Sequence, residues 1–267
     1  MLTITGLTVK FPSRFGDFTA IENVDMSIKA GEIHGLVGES GAGKSTVGAA
    51  VIGLLQSPGY VASGTLLLGE TDLQALTFTQ AHEIRGARIS MIFQDPFSSL
   101  NPVHTIRHHL LRPLRLHGKE SRAETDARVH DILERVGLTP ADRIAAKFPH
   151  ELSGGQRQRV AIARALAVGA RFILADEPIS MLDVSIRLGI LNLMHDMKKD
   201  GVGFMYITHD IATARYFAER TAVMYVGHMV EWGESDAVTQ TPRHPYTQLL
   251  LSAVPEVGKR EKSPLKA

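Results

Sequence analysis

The run Gly38-Glu39-Ser40-Gly41-Ala42-Gly43-Lys44-Ser45 constrains this chain more than any other, because its glycines let the backbone curl until successive N–H groups face one small anion. It fits the pattern G-x4-G-K-[ST] and stands between a short strand expected at 33–37, after the turn at Ala30-Gly31, and a helix expected at about 44–55, ended by Ser57-Pro58-Gly59. Strand, loop and helix in that order aim the loop amides and the helix N-terminus at the same phosphate. Lys44 then reaches the β- and γ-phosphates of a nucleotide, the Ser45 hydroxyl ligates Mg²⁺, and Thr46 belongs with the nucleotide contacts. A dinucleotide-binding fingerprint does not fit, since Lys44, Ser45 and Thr46 stand where the third glycine is required.

Farther along, Phe172-Ile173-Leu174-Ala175-Asp176-Glu177 is an apolar strand ending in two carboxylates. An open α/β sheet binds ligands at the C-terminal edge of its strands, where these acids are delivered. Asp176 is expected to hold Mg²⁺ through water, and Glu177 to polarise the attacking water as general base. Loop and acids together imply a nucleoside triphosphatase.

Alternating stretches at 2–11 and 18–28 read as antiparallel strands joined by a loop around Pro12 to Asp17, and shorter strands are expected at 65–68 and 89–93. From about 96 to 150 the strand signal disappears. Ser121 and Glu124 form a capping-box pattern ahead of Val129, Ile132, Leu133 and Val136, and Gly137 supplies the stop. Strand and helix alternate again at 172–175, 185–199, 204–207 and 211–218, before a hairpin across Gly227-His228; the tail from Gly258 reads as solvated. The implied fold class is α/β, with a mostly parallel core sheet, an N-terminal antiparallel β subdomain and a helical insert.

Composition narrows the setting. The 267 residues carry 29 Lys+Arg against 28 Asp+Glu, a formal net charge of +1, which argues against a nucleic-acid footprint. With no cysteine, disulfides, thiolate zinc sites, cysteine-ligated iron–sulfur clusters and cysteine nucleophiles are excluded. The start Met1-Leu2-Thr3-Ile4-Thr5 lacks the features of a secretory signal, and no apolar run approaches the roughly 18 to 20 residues of a spanning helix. A cytoplasmic location is expected, with any membrane connection made through a partner.

Leu152-Ser153-Gly154-Gly155-Gln156, followed by a long helical run, resembles the signature motif of ABC-type ATPases, a P-loop family, and further family motifs occur in order. Gln94 matches the Q-loop, Ser180-Met181-Leu182-Asp183 resembles the D-loop with Met181 a departure, and His209 matches the switch histidine. Phe11 best matches the aromatic that stacks on adenine, with Phe15 and Phe18 as alternatives. The resemblance implies that Gln94 and Asp176 complete the Mg²⁺ environment and that His209 holds the γ-phosphate and water. It also implies a head-to-tail pair of ATPase chains sandwiching ATP, in which Ser153, Gly154, Gly155 and Gln156 form a second cradle and Asp183 joins the nucleotide contacts. The family division would be an ATP-binding core at 1–95 and 161–240, a helical signature subdomain at 96–160 and a short C-terminal extension at 241–267.

Two further stretches, Phe93 to Pro102 and Arg243 to Leu250 (RHPYTQLL), resemble the oligopeptide, dipeptide and nickel importer branch. That branch implies an ATPase peripheral on the inner face of the plasma membrane, coupled to integral membrane permease subunits and indirectly to a substrate-binding protein. The competing expectation is a soluble ABC-type ATPase serving a multi-enzyme complex such as a carbon–phosphorus lyase assembly. Phe97 to Pro102 are expected to form an exposed apolar contact for a permease, with Phe97 and Leu100 at its centre. His104, His108 and His109 suggest metal ligands only superficially, since no carboxylate completes a set and Pro113 is expected to interrupt their helix. The basic stretch Arg107, Arg112, Arg115, Lys119 and Arg122 reads as a solvated or docking face.

Overall fold

The computed structural model describes residues 1–95, 99–117, 121–180 and 182–253. Expectations that fall on Phe97, Lys119, Met181 and the tail from Gly258 lie outside the described residues.

Two sheets organise the chain. The first is antiparallel, in the order β2-β1-β4-β5, from β1 (Leu2–Ser13), β2 (Gly16–Ile28), β4 (Tyr60–Leu68) and β5 (Thr71–Asp72). The second has the order β10-β9-β3-β8-β7-β6, from β3 (Ile33–Val37), β6 (Ile89–Ile92), β7 (Phe172–Asp176), β8 (Gly203–Thr208), β9 (Arg220–Tyr225) and β10 (His228–Glu234). Its strands run parallel except β10, which pairs antiparallel with β9 through the hairpin expected at Gly227-His228. The central strands β3, β7 and β8 are buried along their whole length, as parallel strands covered on both faces must be.

The period-two alternation of these strands divides the core. Ile173 and Ala175 of β7 with Phe204 and Tyr206 of β8 face a cluster built with the helices of the insert. Phe172, Leu174, Met205 and Ile207 face the other way, toward α1 (Lys44–Ile52) and the antiparallel sheet. A third cluster joins Val37 and Val223 to Ile211 of α8 (Ile211–Phe217), Val238 of α9 (Ser235–Gln240) and Tyr246 of α10 (Pro245–Ser252).

The insert is helical as expected: α3 (Ile106–His117), α4 (Arg122–Arg135), α5 (Ala141–Ala146) and α6 (Gly154–Ala167). Ser121 and Glu124 cap α4 reciprocally, and Val129, Ile132, Leu133 and Val136 are all buried. Several expectations are corrected. Pro113 does not interrupt α3, which continues to His117, anchored by buried Leu110, Leu111 and Leu114. Leu100 is 2% exposed inside the core cluster, so it offers no surface to a partner. The loop at Pro12 to Asp17 is a tight hairpin, closed where Ser13 Oγ donates to the Gly16 carbonyl and accepts from the Phe15 N–H. α1 ends at Ile52 rather than near Leu55, because Gly53 takes a left-handed φ of 66° and turns its N–H back onto Ala49 and Ala50. The sequence reading also missed β5 and α2 (Phe78–Ile84).

Candidate functional site

Strand β3 lies between β8 and β9 and empties at Val37 into the glycine-rich loop. The loop folds around its own lysine: Lys44 is 5% exposed, and its Nζ donates to the carbonyls of Gly38 at 2.6 Å and Glu39 at 2.8 Å. Burial pulls the ammonium below the usual lysine range, against the opposing pull of Glu177, Asp176 and Glu39. Gly43, the residue before α1, has φ 99°, and no side chain caps the helix there.

Asp176 ends β7, 8% exposed. Burial raises its carboxyl above the usual range and the Glu177 charge adds to this, while a hydrogen bond from Ser45 and the charge of Lys44 oppose it. Glu177 follows with a left-handed φ of 45°, its N–H donating to the Ile207 carbonyl at 2.9 Å. Its carboxylate is held from two sides. Gln94 Nε2 donates to Oε2 at 3.0 Å, and His209 Nδ1 lies 3.0 Å from Oε1. The Glu177 carbonyl accepts from both the amide and the hydroxyl of Ser180, at 3.2 and 3.0 Å, which fixes the start of the turn that follows.

A cavity of about 330 Å³ opens over these groups, lined by Ser40, Gly41, Gly43, Lys44, Ser45, Thr46, Gln94 and Glu177. Phe11 and Phe18, opposite each other in the β1–β2 register, line it too, whereas Phe15 is exposed at the hairpin tip and does not. A neighbouring cavity of about 320 Å³ shares Phe11, Ser45 and Thr46 and reaches Asp176, Met91 and Phe93. The oxygen donors suit Mg²⁺: a hydroxyl at Ser45, one buried carboxylate at Asp176 and the amide of Gln94, beside a loop shaped for phosphates.

The remaining candidates sit elsewhere. Ser153 caps α6 in a full capping box: its Oγ accepts from the Gln156 N–H at 3.3 Å, and Gln156 Oε1 accepts from the Ser153 N–H at 3.1 Å. A Cβ on Gly155 would lie 2.7 Å from Ile186 Cγ2 on α7 (Val184–Lys199), so glycine is required there for packing alone. Exposed Asp183 precedes α7 without a side-chain capping bond. None of Ser153, Gly154, Gly155, Gln156 or Asp183 lines either cavity.

Among the insert's histidines, His104 and His108 stack face to face at 4.0 Å, and His109 Nε2 is 3.0 Å from the Asn101 carbonyl. Among the described residues no cluster of His, Cys, Asp and Glu could hold a metal ion. One contact escaped the sequence reading: the Glu39 N–H donates to the Tyr246 hydroxyl at 3.1 Å.

Residues 21–180 match the family model described as "ABC transporter", and residues 230–267 match "Oligopeptide/dipeptide transporter, C-terminal region". A protein of Brucella abortus (strain 2308), provisionally named a peptide import ATP-binding protein, is 42% identical over 97% of this chain and 78% of its own length. The glutathione import ATP-binding protein GsiA of Escherichia coli (strain K12) is 43% identical over 96% of this chain, which spans 41% of that longer protein. Among solved structures, the ATP-binding cassette MJ0796, dimeric in a post-hydrolysis state with ADP and Pi, superposes with a TM-score of 0.78 at 31% identity, covering 88% of this chain and 99% of that one.

Proposed function

The chain belongs to the ABC transporter family of ATPases, and from that premise we infer that it is the ATP-hydrolysing subunit energising an importer of peptides, nickel or related small solutes. The observation that carries the hydrolytic part is the position of Glu177: one carboxylate beside the cavity of Lys44 and Ser45, oriented by Gln94 and His209 at 3.0 Å each.

In this reading Lys44 and the amides of 41–46 take the β- and γ-phosphates of ATP, with an aromatic of the β1–β2 hairpin, Phe11 first, against the base. Ser45, Asp176 and Gln94 would hold Mg²⁺, which supplies charge neutralisation on the phosphates when bound. Glu177 accepts a proton as water oxygen bonds to the γ-phosphorus and the bond to the bridging oxygen breaks, leaving ADP and phosphate. His209 and Gln94 keep the carboxylate aimed, and His209 contacts the γ-phosphate.

Ser153 to Gln156 and Asp183 would act on a second chain's nucleotide. Their absence from both cavities supports an arrangement in which each ATP lies between two chains. The proposed division is a core at 1–95 and 161–240, an insert at 96–160 through which movement passes to membrane permease subunits, and an extension at 241–267. No described helix is long and apolar enough to cross a membrane, so attachment at the inner face would run through those permeases, which receive solute from a binding protein. Tagged chain purified from detergent-solubilised membranes should bring down multi-span permease subunits. Recovery of soluble enzymes only would overturn the importer reading and favour the soluble-complex alternative.

A further inference from the structure

The phosphate loop is braced by a part of the chain far from it in sequence. A Cβ on Gly38 would lie 2.3 Å from the Met224 carbonyl oxygen, so the loop begins pressed against β9. The Gly227 N–H, in the β9–β10 turn, donates to the Ala42 carbonyl at 3.1 Å. The third brace is a side chain. Tyr246 of α10, 207 residues away, accepts the Glu39 N–H.

That N–H and the Gly38 carbonyl belong to one planar peptide unit. The carbonyl accepts Lys44 Nζ at 2.6 Å, so a rigid plate has the lysine on one side and the tyrosine hydroxyl on the other. Tyr246 is itself fixed: it is 8% exposed, its ring lies 4.3 Å from that of Tyr225, and it belongs to the cluster of Val37, Val223 and Val238. The base of α10 is tied to β10, where the Glu231 carboxylate accepts the N–H groups of Arg243 at 2.8 Å and His244 at 3.1 Å. Burial pushes the phenol above its ordinary range, which keeps the hydroxyl neutral.

We propose that Tyr246 is a positioning residue for the phosphate loop: its hydroxyl holds the Gly38–Glu39 peptide, and through it Lys44, so that the C-terminal helix presets the cradle for ATP. The inference rests on the phosphate-loop reading of Lys44. Losing the hydroxyl leaves the Glu39 N–H without this partner and lets the plate rock, which weakens ground-state and transition-state binding alike.

Tyr246→Phe retains the ring and removes only the hydroxyl. In the full chain it should weaken equilibrium ATP affinity and raise KM for ATP about fivefold, with kcat within about twofold. Amide hydrogen exchange at Glu39 should quicken about tenfold. Val238→Ala, which loosens the same cluster without touching the hydroxyl, should lower the unfolding temperature more than Tyr246→Phe does and cost ATP affinity less. Wild-type ATP affinity or unchanged Glu39 exchange in Tyr246→Phe would overturn the proposal, as would an equal affinity loss in Val238→Ala. Lys44→Ala measured alongside separates the two failures, since full activity there would refute the loop reading itself.

Discussion

At the start of α1 the residue before the helix is Gly43, with no side chain to satisfy the first-turn amides; at the start of α6 it is Ser153, which closes a reciprocal box with Gln156. Both sites have the glycine-rich sequence of an anion cradle. The first leaves its donors to a ligand and backs them with a buried ammonium that burial holds below the usual lysine range. The second satisfies itself, and a ligand there must compete with a 3.3 Å bond between Ser153 Oγ and the Gln156 N–H. The phosphate-loop end thus leaves its first-turn donors without a side-chain partner while the Ser153 end satisfies itself, which fits the proposal that the first is completed by nucleotide within one chain and the second serves another chain's nucleotide.

The sharpest way to break this contrast is Glu177→Gln, which retains shape and removes the base. Hydrolysis should fall by about 10²- to 10⁴-fold while ATP binding persists and size-exclusion with ATP shows a dimer, of this chain with itself or with a second ATPase subunit. Unaltered turnover would refute the base. Lys44→Ala should cost about 10²- to 10³-fold in turnover with little change in apo unfolding temperature, because the lost carbonyl bonds are offset by relief of a buried charge. A large drop in apo stability would mean that the lysine is structural.

At the other end the expected effects are on folding. Gly155→Ala drives a methyl into Ile186 and should destabilise by about 1 to 3 kcal/mol, an effect that Ile186→Ala relieves in the double variant. Additive losses in chemical denaturation would show that the close approach is not the cause. Ser153→Ala should cost about 1 kcal/mol through its cap, roughly 2 to 4 °C in a chain of this size. Gln156→Ala opens the box but leaves the hydroxyl. If Ser153 and Gln156 both reach a second chain's nucleotide, each variant should weaken ATP-dependent dimerisation, and unchanged dimerisation in Ser153→Ala would reduce Ser153 to a cap.

The parallel core was legible because β3, β7 and β8 are short, mostly apolar runs that end at the glycine-rich loop, at Asp176-Glu177 and at His209, so strand and site announce each other. α2 was not, although Thr77 and Gln80 form the same kind of box that revealed α4: none of its residues is buried, so no apolar period accompanied the cap. The end of α1 was misplaced because Leu54 and Leu55 continue the apolar run past Gly53, whose left-handed turn decides the matter. Leu100 looked like a surface anchor because an apolar residue beside prolines carries no sign of which way it faces. Gln94, Glu177 and His209 were found as motifs, but their convergence on one carboxylate is tertiary, and the tie from Tyr246 to Glu39 spans too much chain for any local pattern.

Glu177 carries its carboxylate on a backbone that residues with a Cβ tolerate poorly, with φ at 45°. Glycine there would relax the turn, and asparagine would bear it better than glutamate, each gaining on the order of 0.5 to 1 kcal/mol. If Glu177 is the base proposed above, selection for thermostability alone would be drawn to position 177 and would discard hydrolysis as it went, a trade of folding stability against turnover at a single residue.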